Sequence, residues 1–551
     1  MKALATHRLG QVLLACLPLL AGAASAQDEH AGHLAGEHFG TVHFPISCSA
    51  EAQQQFDRAV AMLHSFFYPE TVKAFTALTQ TEPSCAMAYW GIAISQRPNP
   101  LVSPFSSEAL QAGWAAIQMA RNAVPPTPRE RDWIEALSVF FEHYDTLDQK
   151  QRTVKYEAAM AQLHERYPQD TEAAVFYALA LNEAVDLSDK TYSRQLKAVA
   201  ILEPIEKKLP DHPGVAHLII HSYDYAPIAS RGLPAARRYA ALAPTAPHAL
   251  HMPSHIFSTL GMWQEAIEAD LASDTAAKTY AAEMTLDAAA NVEANPARYH
   301  SLDFLTNAYL QLGQDQRAGA IVDARNTVVA GLSPDFRYSG HTAFAAIPAR
   351  YALERGAWDE AAALVPPSTP YPQAEAITWF ARALGAARSG DLIAAHRDVD
   401  EIRRLRALLV ASQDVYWTEQ LDIQAEAALA WIEFGEQHSD SALQSLHSAA
   451  DREDRTEKHV AMENRLLPMR ELLGELLLEA GHPAEAQREF ERSLKAVPNR
   501  FRSLAGAARA AALAGNSGQA RRHYRQLLVL TSRAETERAP MKAAREFLAK
   551  H

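Results

Sequence analysis

Residues 248 to 257 read HALHMPSHIF, and HLIIH occupies 217 to 221. Imidazole is the commonest side-chain ligand for borderline cations such as zinc, copper and iron, and histidines four apart on a helix present their rings on one side. A site of two histidines and one carboxylate would leave metal positions open for chemistry. Other chemistries are missing from the chain. A nucleophile elbow, a phosphate loop, a dinucleotide fingerprint and H-E-x-x-H are all absent, and HLIIH lacks the glutamate that a zinc protease uses as base.

The elements that hold these histidines repeat. Leu473, Gly474, Leu477, Ala486, Phe490, Ser493 and Pro498 are followed by Ala520 and Tyr524, 34 residues after Ala486 and Phe490. A glycine followed five residues later by alanine recurs at Gly261/Ala266, Gly313/Ala318, Gly356/Ala361, Gly390/Ala395, Gly481/Ala486 and Gly515/Ala520. The pattern resembles the tetratricopeptide repeat (TPR) family, in which each repeat is a helical hairpin. The resemblance implies an all-α, right-handed TPR-type alpha-solenoid, and the spacing accommodates about eleven hairpins from residue 49 onward. No alternating, strand-like runs compete with that reading. Division of the chain predicts a signal peptide at 1–26, a flexible histidine-rich lead at 27–48, a TPR-like array at 49–280, an insertion at 281–297 and a second array at 298–551.

In the family, positions 2, 5, 9, 12 and 13 of each repeat face the concave groove. With Gly261 at position 15, His248, His251, His255 and Ser258 fall at positions 2, 5, 9 and 12. One period earlier stand His217, His221 and Asp224, and two periods earlier Glu183. The repeat anchored on Gly313 adds His300, Asp303 and Asn307. On a helix His217, His221 and Asp224 lie within about 60° of one another, a polar stripe on an otherwise apolar element. The register predicts a groove lined by His217, His221, Asp224, His248, His251, His255, His300, Asp303 and Asn307. His217, His221, His251, His255 and Glu183 are the candidate ligands for a divalent zinc, copper or iron ion. Pro253 interrupts this register, because proline inside a helix breaks or kinks it. A helix that starts at Pro253 would leave His248 and His251 in the preceding turn and His251 out of line with His217.

Two functional readings follow. One is a binding module that holds a protein, peptide or small ligand against groove histidines; the other is a metal-dependent enzyme with a His/carboxylate site. Groove histidines also hydrogen-bond peptide carbonyls, so the stripe by itself leaves both open. The wider pattern, with FPISCS, CAMAYWG, HLIIHSYD, HALHMPSHIF and YHSLDFLTNAYLQLG, is similar to a group of exported bacterial TPR proteins, and the resemblance brings no activity with it.

Composition narrows the surroundings. The net charge of −13, or −15 without Lys2 and Arg8, and the lack of a basic stripe argue against a nucleic-acid partner. Lys2, Arg8, an apolar run and Ala24-Ser25-Ala26 predict a cleaved signal and a periplasmic or secreted protein, with a lipoprotein anchored at Cys16 as the alternative. No later stretch is apolar enough to span a membrane. Cleavage leaves Cys48 and Cys85, which in an oxidising compartment form either a disulfide worth about 3 to 4 kcal/mol or two unpaired thiols. His30, His33, His38 and His43 in the lead could hold a divalent ion weakly or simply be solvated.

Overall fold

Each hairpin turns on the same local device. All six glycines of the Gly/Ala marker adopt left-handed backbone, with φ between +66° and +89°, the conformation that ends a helix without Cβ strain. Their six alanine partners are fully buried, at 0% exposure, where the following helix crosses its neighbour. The computed structural model describes residues 38–102, 104–287, 290–291, 297–329, 338–463 and 465–550. The expected signal peptide, Cys16, His30 and His33 lie outside them.

Among the described residues every regular element is a helix, and no strand occurs. Helices pair in chain order, so the fold is all-α, a TPR-like stack of hairpins. Those that matter for the site are α1 (Ala50–His64), α2 (Thr171–Glu183), α3 (Pro213–Tyr223), α4 (Pro247–His251), α5 (Pro253–Thr259), α6 (Trp263–Glu283), α7 (Ala297–Gln311) and α8 (Tyr338–Arg355). Among the described residues no helix is long and apolar enough to cross a membrane.

One expectation holds and two change. Pro253 does end one helix and start another, for α4 stops at His251 and α5 opens on Pro253. Pro348, at the same repeat position, sits inside α8 without dividing it. The lead is not flexible over its described end. Phe39, Val42 and Phe44 are buried, Phe44 packs against Phe56, Trp90 and Trp133, and Ser47 N–H donates to Glu130 Oε1 at 2.6 Å. Its apolar residues find a core that an isolated tail would lack. The insertion likewise does not break the stack, since α6 and α7 on either side pack together and Arg298 Nε donates to Asp274 Oδ1 at 2.8 Å.

Cys48 and Cys85 are joined as a disulfide that ties the segment before α1 to the end of the first hairpin. Trp90, Trp133 and Trp263 are packing residues, each at most 2% exposed.

The later hairpins also return to the earlier ones. Trp263 Nε1 donates to Asn499 O at 2.8 Å, Asn499 Nδ2 donates to Gly261 O at 3.1 Å, and Phe501 N–H donates to Gln311 Oε1 at 2.8 Å. Buried Arg500 bridges Glu471 and Glu354, and buried Arg350 binds Asp303 through two hydrogen bonds, at 3.0 and 3.1 Å. Removing either arginine would strand a buried carboxylate, a cost of about 3–5 kcal/mol.

The closure at Gly261 is testable. A Cβ there would lie 2.1 Å from Pro498 O, whereas one on Gly481 would meet nothing within 4 Å. Gly481→Ala should cost about 1–2 kcal/mol, the left-handed backbone penalty alone. Gly261→Ala should lower the melting temperature by clearly more, and equal melting temperatures for the two variants would show that this contact carries no stability.

Candidate metal centre

The histidine-bearing helices bury their rings because their apolar neighbours do the packing. α3 is PGVAHLIIHSY, buried along its whole length, and its two histidines stand one turn apart between Leu218, Ile219 and Ile220. The break at Met252 re-aims the next element. His248 and His251 ride on the short α4, while His255 rides on α5.

Two clusters of three result. His217, His221 and His248 each bring a ring nitrogen within 4.8 Å of the other two, and so do His251, His255 and His300. His217 Nε2 lies 3.1 Å from His248 Nε2. His251 Nε2 and His300 Nε2 lie 3.1 and 3.4 Å from His255 Nε2. Metal–nitrogen bonds of about 2.0–2.1 Å at a tetrahedral angle place ligand nitrogens about 3.3 Å apart, so these spacings are those of ligands around one ion. The clusters adjoin, with ring centroids 5.6 Å apart at His221/His255 and 6.2 Å apart at His248/His251.

The far nitrogens are tethered. His217 Nδ1–H donates to the carbonyl of His64 at 2.6 Å, and a carbonyl can only accept, so Nε2 of His217 carries a lone pair. His255 Nδ1–H donates to Asp224 Oδ2 at 2.8 Å; the same oxygen accepts from Lys458 Nζ at 2.8 Å, and Thr259 donates to Oδ1 at 2.9 Å. His251 Nδ1 meets Asp270 Oδ1 at 2.7 Å and Ser254 Oγ at 3.1 Å. A carbonyl or carboxylate stands behind three of the six rings, His217, His255 and His251, an arrangement that orients metal-binding histidines and raises their basicity. His221 Nε2 is buried with no hydrogen-bond partner.

Burial controls the charge states. It pushes His217 and His251 down to about 3, and His221, His248, His255 and His300 well below the usual imidazole range. Neutral rings are the ligating form. Burial also pushes the Asp224 carboxyl up, against the pull of Lys458 and Thr259, and it holds Asp270 well above the ordinary range. A proton shared between Asp270 and the His251/His255 pair is therefore the alternative to a cation there. A cation at the Nε2 pair drives that proton onto His251 Nδ1, with Asp270 ionised.

The other predicted residues land as follows. Glu183 belongs to neither cluster, because it is ion-paired with buried Arg97, and burial pushes it up to about 7. Column five of the repeat does not align, since His217 meets His248 where the register would have placed His251; the break at Pro253 is the reason. Asp303 is spent on Arg350, and Asn307 accepts from Gln311 Nε2 at 2.9 Å. Asp224 holds rings in place from behind. All nine residues of the expected groove are at most 5% exposed.

A third cluster, His64, Glu172 and His212, has a different logic. His212 Nδ1 accepts from Val215 N–H at the start of α3, so its proton sits on Nε2 and goes to Glu172 Oε1 at 2.7 Å. His64 Nε2 meets Glu172 Oε2 at 2.8 Å. Burial alone would raise Glu172, but the two imidazoles outweigh it and hold the carboxyl below its usual range. With its His212 lone pair turned away and Glu172 already engaged twice, this cluster braces the carbonyl of His64 that orients His217.

Sequence reasoning missed Lys458. Between the helices Ser439–Glu453 and Met469–Glu479, residues 454–463 bring Lys458 to the site, 2.8 Å from Asp224 Oδ2 and 6.0 Å from the centre of the Phe304 ring. Glu457 N–H donates to Leu187 O at 2.8 Å, its carboxylate accepts from Lys190 and Tyr192, and Lys458 reaches Asp224. Asp224 and Lys458 are 234 positions apart, beyond any local pattern. The available signal was a stretch of about 15 residues that fits no helical period, a length at which loops are usually functional. Two phenylalanines went unnoticed as well. Phe66 lies over the first cluster, 4.4 and 5.0 Å from His217 and His248, and Phe304 lies 4.7 to 5.0 Å from all three rings of the second.

No family model and no curated protein matches the sequence. Among solved structures the chain is similar to a human IFIT1 dimer with m7Gppp-AAAA, at 11% identity and a TM-score of 0.34, over 81% of this chain and 90% of that one. A human IFIT1 dimer with PPP-AAAA gives 10% identity and a TM-score of 0.37 over the same shares.

The buried rings make the chelator-treated protein acid-sensitive. Their native pKa values lie below the unfolded value of about 6.5, so the unfolded chain binds more protons once the pH falls below that value. Each ring then withdraws about 1.4 kcal/mol of stability per pH unit, until its own native value is reached, about 3 for His217 and His251. Asp270, Asp224 and Glu183, all shifted upward, work in the opposite sense, three groups against six. The melting temperature should fall steadily from pH 7 to 5, and less steeply in His251→Asn/His255→Asn; a flat profile would contradict neutral, buried rings.

Proposed function

We propose that the chain is an exported metalloprotein that holds two transition-metal ions, preferably copper, in adjacent three-histidine sites. One observation carries this reading. The tethers on His217 and His255 leave lone pairs on Nε2, and these point at other ring nitrogens 3.1 Å away in a closed, buried space. Each of these lone pairs is met either by an N–H of the neighbouring neutral ring or by a cation, and the third ring of the first cluster, His221, whose Nε2 is buried with no hydrogen-bond partner, favours the cation.

The charge of the surroundings favours copper. Two carboxylates touch the six rings, Asp224 and Asp270, and Asp224 is already paired with Lys458. Little negative charge is left to offset two divalent ions. Copper can be singly charged, and in its divalent state it heads the affinity order at nitrogen sites. Three protein ligands per ion leave a coordination position free, as catalytic sites do and structural sites do not. Export fits the Cys48–Cys85 disulfide, which needs an oxidising compartment to persist. The alternative, a groove for peptide, would require the buried histidines to become exposed first.

Elemental analysis of untagged protein, loaded under metal-replete conditions, tests the reading. Wild type should hold two equivalents, His217→Asn/His221→Asn one, and His251→Asn/His255→Asn one, with asparagine chosen to keep the buried volume polar. Protein without metal, and with a melting temperature unmoved by copper, zinc or iron, would remove the proposal.

A further inference from the structure

Beside the first histidine cluster lies a small, partly open cavity whose walls include Leu63, Phe66, Ile94, Leu179, Arg97 and His217. It offers about 20 Å³ to the centre of a water-sized molecule, where one water needs about 10–15 Å³. An organic substrate does not fit; one or two waters, or a molecule of two or three atoms, do. The walls are mainly apolar, with His64, Tyr68 and His217 among the lining residues, and Arg97 is the arginine that lines the cavity. Its guanidinium is 1% exposed, lies 4.0 and 4.4 Å from the rings of Phe140 and Tyr156, and pairs with Glu183, yet Nε and Nη1 have no hydrogen-bond partner. Two buried donor nitrogens without partners are a standing cost, which an acceptor in the cavity would relieve.

Phe66 lines this cavity together with His217 and packs on the rings of His217 and His248. It follows directly on α1, and its backbone is left-handed, with φ +53°. That conformation is unfavourable for a residue with a side chain. Phe66 is also partly exposed, unlike its neighbours Ser65 and Phe67, so one ring faces solvent, cavity and ligands together.

We propose that this cavity receives a small hydrogen-bond acceptor of two or three atoms next to the ion held by His217, His221 and His248, with Phe66 as its gate and Arg97 as its donor. The proposal rests on the metal reading above and adds the ligand class. An anion such as azide and a neutral diatomic such as carbon monoxide or dioxygen share the required chemistry, and only a size limit joins them.

The test uses copper-loaded full-length protein in which two equivalents have first been counted. Azide is titrated into the oxidised form and followed by its ligand-to-copper absorption, and carbon monoxide is added to the reduced form and followed by its stretching frequency. Saturable binding of at least one probe is expected. The gate variants Phe66→Trp and Ile94→Phe, each shown to keep both coppers, should weaken it at least tenfold. Arg97→Met/Glu183→Gln, which removes the ion pair as a unit, should weaken azide more than carbon monoxide. Binding of azide alone identifies an anionic ligand, and binding of carbon monoxide, alone or with azide, a neutral one. Full copper with no response to either probe, or equal affinities in wild type and both gate variants, would overturn the proposal and leave the metal reading standing. Absence of copper would overturn both.

Discussion

The site depends on desolvation. An imidazole in water holds its lone pair or its proton almost indifferently near neutral pH, but six of them packed with exposures of 5% or less cannot be charged together. Burial makes them neutral, and backbone and carboxylate tethers decide which nitrogen keeps the proton. The carbonyl of His64, itself braced by Glu172 and His212, fixes His217; Asp224 fixes His255. Metal affinity in this reading is what remains when every other partner for Nε2 has been taken away.

A TPR-like stack is suited to such a site because each hairpin adds one helix to a common inner face. Here that face is not left open. The late hairpins come back onto the early ones through Asn499, Arg500 and Arg350, and Lys458 reaches Asp224 behind the His255 ring. The interior is held by several buried ion pairs as well as by apolar packing. Such pairs add little net stability over an apolar core, but each is costly to break, so they specify one arrangement of the two halves.

Much of this is legible in the amino-acid order. The six Gly/Ala markers locate the hairpin turns because left-handed backbone and close helix crossing each demand one residue type. The histidine stripe is visible because imidazole on an apolar helix has few bland explanations. The grouping of the rings is not visible, since it turns on the break before Pro253, which shifts His248 into the place that the register reserves for His251. Glu183 misleads for a related reason: its groove column is right, but Arg97, 86 residues earlier, claims it. Lys458 and Asp270 lie beyond any periodic argument.

Lys458 arrives late in the life of the chain. A polypeptide that emerges from its amino end completes α3, α4, α5 and α7 before Lys458 exists, so for some 150 residues of synthesis or translocation Asp224 has no lysine partner. In the proposed metal reading, ion capture would have an early window, before Lys458 exists, and a late state, in which Lys458 is paired with Asp224. Loading and pairing would become successive events ordered by the direction of the backbone itself.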